Sequence, residues 1–187
     1  MQPSDEALVD EVRTGSTLAF GLLMKRHEKK VYRIAYAYTR TPDNAMDVTQ
    51  NTFFKAYRNI DSYSGAGTVA AWLMTIARNE AASWLRKHRK ERFNEELTPL
   101  NTPVTGPVQE GDAERRQLRA LLCRELGRLK PRELAAINLR YFEDCSLREI
   151  AQVLDTSEGT VKSILFRSIE KLRQFTTFRR DNDYAQL

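Results

Sequence analysis

Apolar residues in the first third of this chain recur three and four positions apart, the spacing of one helix face. Phe20, Leu23, Met24, His27, Val31, Ile34, Ala35 and Tyr38 fall on such a stripe, so a long amphipathic helix is predicted from Thr17. Thr41-Pro42 ends it, because proline brings no amide hydrogen and turns the residue before it away from helical angles. Asp43 is then placed to cap a second helix, in which Ala45, Thr49, Phe53, Ala56, Tyr57 and Ile60 share a face that should pack on the first. Residues 62–68, with Gly65 and Gly67, read as a loop. A third helix follows over about 69–88 through Trp72, Leu73, Ile76, Ala77 and Trp84, and ends in the basic run Arg86, Lys87, Arg89, Lys90 and Arg92.

The pattern is lost over 93–111, where Pro99, Pro103, Pro107 and two glycines interrupt a stretch without hydrophobic period. Such a stretch is a flexible linker between two domains, 1–92 and 112–187. Beyond it, Leu118, Leu121, Leu122 and Leu126 mark another helix. Pro131 suits the first turn of the next, which carries Leu134, Ile137 and Tyr141. The two-residue alternation of a strand is found nowhere, so the fold predicted is all-α, two small helical domains on a tether.

Near the C-terminus the signals tighten into a helix-turn-helix over 146–171. Ser146 and Glu149 form a capping box, and Leu147, Ile150, Ala151 and Leu154 give the short helix its buried face. Two helices meeting at a tight turn need a small residue where they approach, here Ala151. Asp155-Thr156 makes the turn, and aspartate tolerates a left-handed backbone better than most residues. Ser157 caps a longer helix that turns Val161, Ile164 or Leu165, Ile169 and Leu172 inward and presents Lys162, Ser163, Phe166, Arg167 and Lys171 outward. Donors of these types in the first half of a recognition helix are what base edges and phosphates in a major groove require. A helical hairpin with an ordinary solvated basic face is the simpler alternative.

Charge agrees with a polyanionic partner: thirty Lys and Arg against 25 Asp and Glu leave a net charge of +5. No apolar run approaches the length of a membrane span, and the polar, acidic start is no signal peptide, which places the chain in the cytoplasm with no membrane insertion. Cys123 and Cys145 lie far apart without metal-ligand spacing and read as inert thiols. His27 sits on an apolar face and His88 in a basic run, neither beside a nucleophile. Asp43 and Asp47, four apart, are explained by capping and surface polarity. Neither catalytic residues, metal ligands nor a cofactor are therefore expected. A phosphate-cradling glycine loop is also lacking, so nucleotide hydrolysis cannot drive any strand opening and binding energy must supply it.

Three segments resemble one family. Asp47-Val48-Thr49-Gln50-Asn51-Thr52-Phe53, Trp72-Leu73-Met74-Thr75-Ile76-Ala77-Arg78-Asn79 and Gly159-Thr160-Val161-Lys162-Ser163 are similar, in order and in spacing around a proline-bearing linker, to signatures of the extracytoplasmic-function sigma factors of bacterial RNA polymerase. The chain departs from them at Val69 or Ala70, where an aromatic residue is usual, and at Ile164, where an arginine is common.

The resemblance implies a first domain that binds core polymerase and reads and melts the minus-ten promoter element, and a second that reads the minus-thirty-five element. By it, Asp47, Gln50 and Asn51 dock on the clamp coiled coil of the largest polymerase subunit. Ser62, Tyr63, Ser64, Gly65, Arg78, Asn79, Arg86 and Lys87 hold minus-ten DNA, and Ser157, Thr160, Lys162, Ser163, Phe166, Arg167 and Lys171 the minus-thirty-five duplex. An anti-sigma factor is the expected regulator. Trp72 and Trp84 offer themselves as stacking platforms, although their spacing with other apolar residues reads as core. A helix-turn-helix regulator that binds an operator without polymerase is the rival reading.

Overall fold

The computed structural model describes residues 3–88 and 113–184, with side chains over 3–88 and 120–174. The expected linker 93–111 lies outside the described residues, as do Arg89, Lys90, Arg92 and the side chain of Leu118. All regular structure among the described residues is helical.

Four helices build the first unit: α1 (Asp5–Arg13), α2 (Thr17–Thr39), α3 (Pro42–Arg58) and α4 (Val69–Lys87), with a short 3-10 turn at Ile60–Ser62 before the loop. The long α2 is the hub, packed on α1, α3 and α4. Leu8, Leu23, Ile34, Leu73 and Met74 are fully buried at these contacts. Helix α1 answers to no expectation from the sequence. It is capped by Ser4, whose hydroxyl accepts from the Ala7 amide, and it buries Leu8, Val9 and Val12, a stripe too short to stand out from its acidic surroundings. The α2–α3 junction breaks where expected, but its cap is Thr41, with Pro42 at the first helical position and Asp43 inside the first turn. There the aspartate still complements the positive helix end. Arg40 closes α2 in a left-handed conformation, φ 67°.

The second unit comprises α5 (Ala113–Gly127), α6 (Pro131–Tyr141), α7 (Leu147–Leu154) and α8 (Glu158–Tyr184). Leu134, Leu139, Ile150 and Val161 are fully buried where α6 and α7 pack on each other and on α8. Four residues placed on apolar stripes by their spacing face outward instead: Met24, Tyr57, Leu122 and Tyr141. Each lies at the margin of its stripe, where a helix turns its side chain toward solvent. The units also touch one another, α6 lying on α2 and α7 on α4.

Candidate nucleic-acid and polymerase interfaces

The helix-turn-helix forms as its residues dictate. Ser146 Oγ accepts from the Glu149 amide at 3.2 Å and the Glu149 carboxylate accepts from the Ser146 amide at 2.9 Å, a reciprocal cap. The Ser146 hydroxyl also donates to that carboxylate at 2.7 Å, and the bonds from the Ser146 amide and hydroxyl hold the Glu149 carboxyl below the usual range. Asp155 makes the turn in a left-handed conformation, φ 51°, and Ala151 is buried at the crossing. Ser157 then starts α8: its Oγ accepts from the Thr160 amide at 3.2 Å and pairs with the Thr160 hydroxyl at 2.9 Å. Val161, Ile164 and Leu165 root the helix in the core.

With that root fixed, Lys162, Ser163, Phe166 and Arg167 stand exposed around one shallow depression. The Phe166 ring is 68% exposed, an unfavourable position for a free phenyl group and a useful one for a contact to a thymine methyl. Lys171 departs from expectation. It turns back to the Glu133 carboxylate at 2.6 Å, so its charge is spent inside the domain. Burial raises the Glu133 carboxyl, but the bonds from Lys171 and the Lys130 amide outweigh it and the group sits below its usual range.

In the first unit the loop 62–68 is held by its own residues. Tyr63 is buried: its hydroxyl donates to the Gly67 carbonyl at 2.6 Å, its own carbonyl accepts from Arg13 at 2.5 Å, and its ring lies 5.6 Å from Trp72. Expected to face DNA, it instead sets the shape of the loop. Ser62 caps back onto the Asn59 carbonyl at 2.7 Å, while Ser64 and Gly65 are exposed; Gly65 has φ 77°, which favours glycine. Along α4, Trp72, Asn79 and Arg86 are spaced by seven, so they share one face at intervals of about 10 Å. Asn79, Arg86 and Lys87 are exposed and Trp72 is half-buried. A stripe thus leads from the loop past an amide that both donates and accepts to a cationic end. Trp84 packs against the core and stacks on His88 at 4.5 Å. Arg78 faces elsewhere, into the second unit: its Nε donates to the Val153 carbonyl at 3.0 Å and its Nη2 lies 3.8 Å from the Asp155 carboxylate.

Helix α3 turns Asp47, Gln50 and Asn51 to solvent. It also exposes Met46 and Phe54, at 50% and 61%, the latter under the Arg58 guanidinium at 5.6 Å. A polar face studded with two large apolar side chains is suited to docking another protein. Phe54 was legible in principle: of adjacent Phe53 and Phe54, only one can lie on the buried stripe.

Two helical units, one with an exposed basic face on its helix-turn-helix and the other with a glycine loop beside an Asn-Arg stripe, present two surfaces of the kind DNA-binding proteins use. Residues 23–91 match the model for sigma-70 region 2 and residues 126–174 that for sigma-70 region 4. An ECF RNA polymerase sigma-E factor of Haemophilus influenzae is 34% identical, over 91% of this chain and 94% of that protein. Among solved structures, the sigma factor RpoE of Bartonella quintana in complex with the anti-sigma factor NepR is 25% identical, with a TM-score of 0.66 over 84% of this chain and 96% of that one. CnrH in complex with the cytosolic domain of CnrY shares the fold at 23% identity, with a TM-score of 0.68 over 94% of this chain and 98% of that one. The chain belongs to the extracytoplasmic-function sigma factors, DNA-binding proteins of transcription initiation. Among the described residues no helix is long and apolar enough to cross a membrane.

Proposed function

We propose that the two units divide promoter recognition, the second holding the minus-thirty-five duplex and the first capturing an unpaired minus-ten base, with α3 as the docking face for the clamp coiled coil of core polymerase. The observation that carries this reading is the exposed quartet Lys162, Ser163, Phe166 and Arg167 on a capped, core-rooted helix. Its cations and hydroxyl supply phosphate and base-edge contacts, and Phe166 an apolar one. At the minus-ten element, Asn79 satisfies the edge of an extruded base while Arg86 and Lys87 neutralise the backbone. Extruding a base costs a few kcal/mol, which stacking of about 1–3 kcal/mol per base offsets. The work is done by binding, without catalysis, in the cytoplasm, and an anti-sigma factor is the proposed regulator.

The test is reconstituted initiation with core polymerase on a promoter template. The parent should give a defined start, and Asn79→Ala should lose open complexes even on a template unpaired in advance, with thermal stability and core binding retained. Full activity of Asn79→Ala on that template would overturn base capture.

A further inference from the structure

Helix α1 does more than close the core. At its last residue, Arg13, Nη1 pairs with Asp10 of the same helix at 3.0 Å, Nε lies 3.8 Å from Asp61, and Nη2 donates to the Tyr63 carbonyl at 2.5 Å. The guanidinium is thus turned onto protein partners and not out to a phosphate. The other end of α1 is tied to α2, where Arg26 is bonded to Asp5 and His27 Nε2 lies 2.7 Å from it. Leu8, Val9 and Val12 are buried in between, so α1 is a fixed strut with Arg13 at its tip.

The loop 62–68 leans on that tip. Tyr63 enters it buried, with its hydroxyl on the Gly67 carbonyl and its ring beside Trp72. Thr68 closes it by capping α4, its hydroxyl accepting from the Ala71 amide at 3.1 Å. Between these points residues 64–67 stand exposed, and Gly65 makes the left-handed turn. The crest side chains Ser64 and Ala66 are too small to anchor it, so its position is set from Tyr63 and, through the Tyr63 carbonyl, by Arg13.

We propose that Arg13 is a positioning residue for the capture of the unpaired minus-ten base: it holds the Tyr63 carbonyl so that the loop meets the base edge in one conformation at the head of α4. The proposal rests on the minus-ten reading of the loop and α4. An extruded base is read by hydrogen bonds and stacking in a close pocket, and a pocket wall that must first settle into shape gives back part of that binding. The phosphate contacts of Arg86 and Lys87 need no such precision, because a cation attracts a phosphate over a range of distances. Loosening the loop therefore weakens what depends on the base and spares what depends on the backbone.

The test uses holoenzyme with the full chain on templates unpaired at the minus-ten element, each unpaired nucleotide in turn made abasic, and reads the lifetime of the open complex. The parent should lose at least about fivefold at the captured position and little elsewhere. Arg13→Ala should lose less than about twofold there, because its complex with the intact base is already shortened. On the template abasic at that position the two proteins should be alike. Asp10→Asn, which leaves Arg13 its bond to Tyr63, should match the parent. Thermal transitions and affinity for core polymerase report that each variant is folded; if Arg13→Ala melts early, Arg13→Gln, whose shorter side chain falls short of Tyr63, takes its place with the same expectations. A variant that keeps the parent's sensitivity to the captured base overturns the proposal, whether its lifetimes match the parent's or are shortened alike on every template. An equal loss in Asp10→Asn also overturns it, by assigning the effect to the end of α1 and not to the bond with Tyr63. Failure of the minus-ten reading appears separately, as a parent indifferent to the abasic change at every position, and takes the proposal with it.

Discussion

Arg167 and Lys162 occupy neighbouring places on one exposed face but differ in chemistry. Arginine offers a planar fork that fits guanine, and lysine a point charge that fits any phosphate. Arg167→Ala should cost about 1–3 kcal/mol on the cognate duplex and much less on a scrambled one. Lys162→Ala should weaken both alike and flatten the salt dependence. Binding isotherms on the two duplexes at two salt concentrations separate these outcomes, and no effect of either substitution would remove α8 from the groove. His27 makes a different kind of prediction. It is buried, its Nε2 lies 2.7 Å from Asp5, and its Nδ1 has no partner. Burial lowers its pKa, against the opposing pull of Asp5. The unfolded chain therefore takes up the proton first, so stability held above the ordinary histidine value should be lost as pH falls through and below it. Between pH 7.5 and 5.5 the parent's Tm should fall more steeply than that of His27→Gln, whose amide can still donate to Asp5; equal slopes would place the acid sensitivity elsewhere.

At the scale of elements, the short α7 depends on its ends. It has two turns, and its reciprocal cap satisfies amides that no intrahelical carbonyl can reach. Ser146→Ala should cost about 0.5–2 kcal/mol of stability, read as an earlier thermal transition in the full chain, while the same change at exposed Ser64 should cost little. Caps and stripes of this kind are what a sequence displays openly. The helix-turn-helix, its aspartate turn and the three helices of the first unit were legible for that reason. What was not legible depends on the tertiary partner of a residue. Lys171 and Lys162 look alike along the chain, and only the place of Glu133 one helix away decides which stays free. Tyr63 sits in a glycine-bearing loop that reads as exposed, yet Trp72 and Arg13 draw it inward. Helix α1 was missed because three apolar residues suffice once α2 supplies the other half of their contact.

For the whole molecule, the decisive quantity is reach. The names of the two promoter elements place them about 25 base pairs apart, which is roughly 85 Å of straight duplex at about 3.4 Å per base pair. The α2–α6 and α4–α7 contacts hold the units against each other, so engagement at both elements requires the second unit to leave its seat and the chain between them to extend. Residues 93–111, outside the described structure, span at most about 65 Å at roughly 3.3–3.6 Å per residue, and the widths of the units make up the remainder. Removing eight of these residues leaves a maximum of about 38 Å by the same rule. That shortened chain should keep its thermal transition, its binding to a minus-thirty-five duplex and its affinity for core polymerase, yet lose initiation at a promoter of native spacing by at least about tenfold. Replacing 93–111 by a Gly/Ser stretch of equal length separates reach from composition. If length alone matters, the replacement initiates like the parent; if Glu95, Glu96 and Glu110 also steer the linker away from phosphates, it falls between the parent and the deletion. Full activity of the deletion would mean that polymerase brings the two elements closer than a straight duplex does, and that the seated arrangement need open only part way.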